Sequence, residues 1–212
     1  MDNRTPDKVK FLHGLGFSQV VLARELSLAE IQAVHAACDV PLEVFVHGAL
    51  CVSYSGQCYV SQHCFGRSAN RGECAQFCRL KFDMVDSDGR MIEQGRHLLS
   101  LKDMNRGADL ERLLDAGVTS LKIEGRLKDV AYVKNVTAWY RSRLDEIFKR
   151  RPEYHRASSG HVSLAFTPCL EKSFNRGFTR YFLDGRTPDI FSFHTPKSLG
   201  CLLYTSPSPR DS

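Results

Sequence analysis

The chain has 212 residues, of which 42% are hydrophobic, and this is enough to form the core of one ordinary domain. Its formal net charge of +5 permits an RNA partner without indicating one. The charged amino-terminal segment lacks the apolar stretch of a secretory signal, and no window approaches the roughly 18 apolar residues of a membrane span. The sequence therefore predicts a cytoplasmic protein with no membrane contact.

Apolar strands and amphipathic helices alternate along the first 150 residues. In chain order the pattern predicts a helix (5–15), a strand (19–24), a helix (27–38), a strand (42–48), a hairpin (82–94), a strand (97–103), a helix (105–117), a strand (120–126) and a helix (129–150). Thr5 is placed to cap the first helix, and Ser27 with Glu30 forms a capping box for the second. This rhythm indicates an α/β fold with a parallel sheet and helices outside it.

The predicted core strands end on polar residues that are capable of binding or catalysis. These residues are Arg24, Glu25, His47, Lys102, Glu124 and Arg126, and Asp103 follows Lys102 at the end of the third strand. In a (β/α) barrel the carboxyl ends of the strands form the active-site face, so a shared site is one interpretation. The other is that strands simply become polar where they emerge into water. Under the first interpretation, His47 or Glu124 moves a proton and the other four bind substrate.

Five cysteines lie between residues 51 and 78, a density that core packing rarely requires. They are Cys51, Cys58, Cys64, Cys74 and Cys78. In a reducing compartment such a cluster more often binds metal or performs chemistry than forms disulfides. An iron–sulfur cluster, a structural zinc ion and buried unligated thiols all remain open. The wide first spacing favours a cluster, because its ligands surround a larger inorganic core than a single zinc ion does.

The number of predicted core strands indicates whether the sheet can close into a barrel. Four parallel core strands cannot close a barrel, which normally needs about 250 residues. The sheet is therefore expected to be open, either as a small fold or as a fragment of a larger one. An open edge predicts that Val20, Val21 and Leu22 are partly uncovered.

The segment EVFVHGALCVSYSGQCYVS (43–61) resembles the signature of the collagenase-like peptidases, peptidase family U32. The residues that meet this signature are Glu43, Phe45, Gly48, Ala49, Leu50, Cys51, Gly56, Cys58 and Ser61. Four further segments are similar to that family in order and spacing: ANRGECAQFCR (69–79), LLSLKDMN (98–105), AGVTSLKIEGRLKD (116–129) and SFNRGFTRYFLDGR (173–186).

The resemblance implies a partial TIM-type (β/α) barrel with an inserted cysteine-rich loop at 49–80. It also implies a 4Fe–4S cluster on Cys51, Cys58, Cys74 and Cys78, with Cys64 as an extra thiol. The implied activity is oxygen-independent hydroxylation that forms 5-hydroxycytidine or 5-hydroxyuridine in ribosomal or transfer RNA. A small dicarboxylate, prephenate, is implied as the source of the hydroxyl oxygen.

Older members of that family are named for collagen degradation, so a peptidase is the alternative. The chain has no HExxH zinc motif and no GxSxG nucleophile motif. A nucleophile pair of Cys51 and His47 stays open, because the two residues are close in sequence.

The resemblance also suggests how the chain is organised. Residues 1–150 are predicted to be the C-terminal part of a barrel, and 151–200 an incomplete family extension. Residues 201–212 resemble the translation of a sequencing-library adapter and are expected to pack against nothing. Both ends are accordingly expected to be truncated.

Overall fold

The computed structural model describes residues 2–125, 128–157, 159–160 and 162–194. The predictions made for Arg126 and for residues 201–212 lie outside the described residues. The helices are α1 (Pro6–Gly14), α2 (Leu28–Ala37), α3 (Val60–Phe65), α4 (Leu110–Asp115) and α5 (Val130–Arg150). The strands are β1 (Val20–Val21), β2 (Leu42–Gly48), β3 (Phe82–Val85), β4 (Met91–Arg96), β5 (Asp103–Asn105), β6 (Val118–Ile123) and β7 (Phe178–Thr179).

The predicted helix starts are confirmed. The Thr5 side chain accepts a hydrogen bond from the backbone N–H of Lys8 at the start of α1. Ser27 and Glu30 form a complete capping box at the start of α2, in which each side chain bonds the other's backbone N–H. Asp129 accepts from the N–H of Tyr132 and begins α5. These short-range bonds satisfy N–H groups that a helix start leaves without an intrahelical partner.

Strand β2 lies at the centre of a mixed sheet. It pairs in parallel with β1 and with β6, and β5 pairs in parallel with β7. The end of β2 pairs antiparallel with β5, through His47 to Asn105 and Gly48 to Met104. The α/β prediction is confirmed and the sheet is mostly parallel, but within the described ranges it does not close into a barrel. The hairpin at 82–94 is also confirmed, as the separate two-stranded sheet of β3 and β4.

The predicted core strand at 97–103 is wrong, as is the expectation that all core strands run parallel. A strand begins only at Asp103, and it runs antiparallel to β2. In the segment before this strand, Ser100 donates its N–H to the carbonyl of His97. Leu101 forms an isolated β-bridge with Phe191. Leu101 is buried in a small apolar cluster with Leu50, so its hydrophobicity reflects that tertiary contact and not a place in a strand.

The expected exposure of the first strand is wrong for Val20 and Leu22, whereas Val21 is half-buried, as predicted. Val20 and Leu22 are 2% and 1% exposed. Asn3 lies along the edge of β1, where its side-chain amide donates to the carbonyl of Val21 and its carbonyl accepts from the N–H of Ala23. The segment before α1 thus covers a strand edge that would otherwise present unpaired backbone groups.

The main core lies between the sheet and helices α1, α2, α4 and α5. Its members include Val9, Val34, Leu42, Leu113 and Val136, each at most 1% exposed. Gly117 has a φ of +84°, and a Cβ atom there would lie 2.2 Å from the His35 ring, so a glycine closes the turn between α4 and β6. Among the described residues, no helix combines the length and the apolar character needed to cross a lipid bilayer.

Candidate functional site

The carboxyl ends of β2 and β6 meet in a close backbone contact. The N–H of Glu124, just after β6, donates to the carbonyl of His47 at 2.9 Å. Gly48 has a φ of +106°, and a Cβ atom there would lie 2.5 Å from the carbonyl oxygen of Glu124. Only glycine fits such a conformation and such an approach, so this residue sets the spacing between the two strand ends.

Several of the predicted strand-end residues come together here. Arg24 donates to the Glu124 carboxylate at 3.1 Å, and its guanidinium lies 4.2 Å from the centre of the Phe45 ring. Glu25 accepts from the backbone N–H of Ser55 and from its hydroxyl, which ties the end of β1 to the cysteine loop. Lys102 instead forms an ion pair with Asp189, a residue that is 84% exposed.

His47 is held in a buried aromatic surround, 2% exposed, with ring centres of Tyr140, Phe178 and Tyr132 at 5.5, 5.6 and 6.1 Å. Its Nδ1 lies 3.3 Å from the Tyr140 hydroxyl, which is also within hydrogen-bond distance of the carbonyl of Val46 and of Oδ1 of Asn105. Because those two oxygens only accept, the hydroxyl donates to one of them and accepts from Nδ1–H of His47. This tautomer leaves Nε2 unprotonated.

Burial and the nearby Lys128 ammonium lower the pKa of His47 to about 4. A histidine with this pKa is neutral at pH 7, since the charged imidazolium loses its hydration when buried. At pH 7 His47 is therefore suited to accept a hydrogen bond and provides no fixed positive charge, and its lowered pKa makes it a weak base.

The cysteine loop carries its thiols at two levels of exposure. Cys51, Cys58, Cys74 and Cys78 are all half-buried, whereas Cys64 is exposed at the surface. Burial raises the pKa of the Cys51 thiol, and the charges of Cys58 and Cys74 raise it further. The pKa of Cys78 is raised in the same way by burial and by Cys51, Cys74 and Cys58. The four half-buried thiols therefore lie close enough for their charges to affect one another.

Within the ranges that the structure describes, no three His, Cys, Asp or Glu side chains are arranged to hold a single metal ion. The loop backbone does direct N–H groups at sulfur. Gln76 donates its N–H to Sγ of Cys74 at 3.3 Å, and it does so from a left-handed conformation with a φ of +57°. A hydrogen bond from the backbone of Ser53 favours the thiolate of Cys51. Hydrogen bonds to ligand sulfurs are a means by which proteins adjust iron–sulfur centres.

Sequence reasoning missed Arg79, which directly follows Cys78. Its side chain is buried and donates to the hydroxyl of Ser100 at 2.8 Å and to the carbonyls of Leu101 and Leu50 at 2.6 and 2.7 Å. Because these acceptors are neutral, the positive charge of Arg79 remains available to balance an anion. The thiols of Cys78 and Cys51 are among the groups that raise the pKa of Arg79, against a larger lowering by burial.

Sequence reasoning also missed a buried ion pair and a lysine beside it. The Asp103 carboxylate accepts from the guanidinium of Arg176 at 3.0 Å, and both side chains are at most 5% exposed. Lys128 places its ammonium 3.1 Å from the centre of the Phe174 ring and 5.2 Å from that of Tyr132. Burial lowers the pKa of Lys128 to about 8.

The charges of this ion pair and of Lys128 interact with each other and with nearby charged residues. The charges of Asp103, Arg176, Glu124 and Arg79 all act on Lys128. Asp103 was already among the polar residues at the predicted strand ends, whereas Arg79, Lys128 and Arg176 are signalled only by their place in the family-like segments. Lys128 thus lies within electrostatic reach of two further cations, Arg79 and Arg176, and of two carboxylates, Asp103 and Glu124.

A sequence model of peptidase family U32 matches residues 1–191, which is most of the chain. The chain belongs to peptidase family U32. This U32 chain is 54% identical over 199 residues to the 23S rRNA 5-hydroxycytidine C2501 synthase of Escherichia coli strain K12, a match that covers 94% of the chain and 30% of that protein. It is 38% identical over 200 residues to tRNA hydroxylation protein P1 of Bacillus subtilis strain 168, covering 90% of the chain and 46% of that protein.

The U32 chain is also 34% identical over 181 residues to a protein named collagenase from Porphyromonas gingivalis, covering 79% of the chain and 42% of that protein. The chain thus spans less than half the length of these curated relatives. No solved structure matches it. The predicted family is confirmed, and its relatives include proteins named for RNA hydroxylation.

Proposed function

We propose that this chain carries the iron–sulfur part of an oxygen-independent RNA hydroxylase that forms 5-hydroxycytidine or 5-hydroxyuridine in ribosomal or transfer RNA. The observation that carries the proposal is the 54% identity, over 94% of the chain, to a protein named as a 5-hydroxycytidine synthase. We also infer that the open sheet is part of a larger (β/α) barrel, because the strand ends and the cysteine loop share one region.

The proposed cofactor is a 4Fe–4S cluster held by Cys51, Cys58, Cys74 and Cys78. Four thiols are the usual donor set of such a cluster, and here they are half-buried, electrostatically coupled and supplied with N–H donors at sulfur. A cluster is larger than a single ion, so its ligands stand farther apart than the roughly 2.3 Å zinc–sulfur bonds of a zinc site allow. When bound, a cluster of this kind supplies one-electron chemistry or an iron site for substrate.

The chain's own residues would bind the small reactant. A dicarboxylate such as prephenate, the proposed source of the hydroxyl oxygen, needs cations that are already in place. Arg79 and Lys128 provide them, and Arg24 lies on the other side of Glu124. The aromatic rings around Lys128 exclude water from its ammonium, which strengthens its attraction for an anion.

Proton movement is assigned to His47 or Glu124. Neutral His47 has an unprotonated Nε2, and its orientation is fixed by the Tyr140 hydroxyl at Nδ1. Glu124 is oriented by Arg24 and lies at the end of the neighbouring strand. Hydroxylation at C5 of a pyrimidine requires the ring proton at C5 to leave, and a base positioned at that atom is the group for that task.

A peptidase is the alternative, and the relative named collagenase favours it. Nucleophilic catalysis by Cys51 requires a base at hydrogen-bond distance. The polar contact that the structure records for the His47 ring is with the Tyr140 hydroxyl at Nδ1. The imidazole is also buried behind the rings of Tyr140 and Phe178, which cover it from a polypeptide substrate.

Deletion of the gene distinguishes the two functions. RNA from the deletion strain is digested to nucleosides and analysed by mass spectrometry, and we expect one 5-hydroxypyrimidine to disappear and to return when the gene is restored. In parallel, the whole protein is purified extensively and incubated with gelatin. Unchanged RNA together with gelatin cleavage that persists through purification would favour the peptidase instead.

A further inference from the structure

A cavity of about 400 Å³ lies beside the cysteine loop, between the end of β1 and the segment after β7. Its lining residues are Arg4, Glu25, Leu26, Ser27, Glu30, Tyr54, Phe182, Gly185 and Arg186. The volume falls in the range of small-molecule sites in proteins. The described thiols are not part of this lining, so the cavity is distinct from the proposed cluster site.

Two aromatic rings form the apolar walls of the cavity. Tyr54 is 40% exposed, although it lies in the loop that carries Cys51 and Cys58. Phe182 stacks on Tyr181 with ring centres 3.9 Å apart and planes 19° from parallel. Tyr181 is buried and holds a φ of +57°, which a bulky residue adopts only when its surroundings force it. Phe182 is therefore a fixed platform and not a mobile surface ring.

Two arginines stand over these rings. The guanidinium of Arg4 is ion-paired with Asp2 and lies 4.6 Å from the centre of the Tyr54 ring. Arg186 donates to the Tyr54 hydroxyl at 2.5 Å, and its guanidinium lies 5.9 Å from the Phe182 ring. Arginine next to exposed aromatic rings is the combination that binds single-stranded nucleic acid, because bases stack on the rings and phosphates bind the guanidinium groups.

The polar wall consists of carboxylates. Glu25 and Glu30 both line the cavity. The oxygens of Glu25 already accept from Ser55, and those of Glu30 from Ser27, but each carboxylate oxygen has a second lone pair. A carboxylate accepts from the exocyclic amine of cytosine, whereas uracil presents an acceptor oxygen at that position. The wall thus favours cytosine.

The cavity also communicates with the cysteine loop. Glu25 binds the backbone of Ser55, four residues after Cys51. Tyr181, which supports Phe182, has its pKa raised to about 12 by burial and by the charges of Glu25 and Cys51. Glu25 and Tyr54 thus connect the wall of the cavity to the loop that carries the cysteines.

We propose that this cavity receives an unpaired cytidine of the RNA substrate, with its base against Tyr54 and Phe182, its amine toward Glu25 and its phosphates at Arg4 and Arg186. The proposal rests on the proposed RNA function and adds the place where the nucleotide binds. The lining contains neither His47 nor Glu124, so the cavity is a binding subsite for the RNA and not the place of reaction.

Ultraviolet cross-linking in living cells tests the proposal on the natural RNA. The deletion strain carries the whole protein as wild type, Tyr54→Ala, Phe182→Ala or the control Phe11→Ala, whose ring is 64% exposed on α1. Cells are irradiated, and nucleotide adducts are assigned to peptides by mass spectrometry. Hydroxylated nucleosides are measured in the same cells, and the cysteine loop of each purified variant is checked by its visible absorption.

In the wild type we expect cytidine adducts on the peptides that contain Tyr54 or Phe182. Loss of one stacked ring weakens binding roughly 5- to 100-fold, so each cavity variant should lose most adducts and most hydroxylation, while Phe11→Ala retains both. Adducts confined to other peptides, uridine adducts at these two residues, or full hydroxylation by both cavity variants would overturn the proposal. If the wild-type gene restores no hydroxylated nucleoside, the proposed function fails first, whatever the adducts show.

Discussion

We expect serine in place of any one of the four half-buried cysteines to remove the visible absorption and the RNA hydroxylation proposed for the anaerobically purified protein. The four positions are Cys51, Cys58, Cys74 and Cys78. Each supplies one thiolate to the proposed cluster, and a serine hydroxyl is a poor ligand for iron in such a site. We expect hydroxylated nucleosides to fall to the level of the deletion strain.

Cys64→Ser is the matched control for this series. Cys64 lies in the same loop, within α3, but it is exposed. We expect its variant to keep both the absorption and the activity of the wild type. Circular dichroism of every variant separates loss of ligation from loss of folding. Full absorption in any of the four variants, or its loss in Cys64→Ser, would contradict the assigned ligand set.

The second large effect is expected at Arg106, whose side chain is 1% exposed. Its guanidinium donates to the carbonyls of Arg24 at 3.2 Å and of Leu26, Phe45 and Arg180 at 3.5 Å. These carbonyls belong to the segments after β1, within β2 and after β7. Arg106 therefore joins three of the chain segments that surround the proposed site.

We expect Arg106→Met to lower the free energy of unfolding by about 2–4 kcal/mol, because methionine leaves these buried carbonyls without a donor. The loss of stability is limited, because burying the charged guanidinium is itself unfavourable. The same burial lowers the pKa of Arg106 to about 10. Unfolding in urea measures the difference. Arg150→Met is the control: that arginine is 63% exposed in an ion pair with Glu111, and such pairs contribute roughly 0–1 kcal/mol. Equal stability of the two variants would disprove the role given to Arg106.

Local signals in the sequence were sufficient for much of the fold. The caps of α1, α2 and α5 depend on residues three positions apart, and β2 is a mainly apolar segment that follows Pro41 and ends at Gly48. The segment before β5 was misread, because Leu101 is apolar for its contact with residues far along the chain. The hydrophobic pattern alone does not distinguish a buried strand from a loop residue that is buried by a tertiary contact.

The candidate site was predicted less completely than the fold. Clustered cysteines and polar strand ends are visible in a sequence, and Arg24 and Glu124 do come together. Arg79 and Arg106 were missed because they bind backbone carbonyls, which every residue has and no sequence pattern marks. Lys128 was missed because its environment depends on Phe174, which lies far along the chain.

Chemical analysis of iron, zinc and acid-labile sulfide in the whole protein, purified without oxygen, tests the central claim most directly. With one cluster on the four half-buried cysteines, the protein should contain about four iron and about four sulfide per chain, and none of the iron should be lost in Cys64→Ser. About one zinc per chain with no sulfide would contradict it, as would an RNA-hydroxylating preparation that contains neither iron nor sulfide.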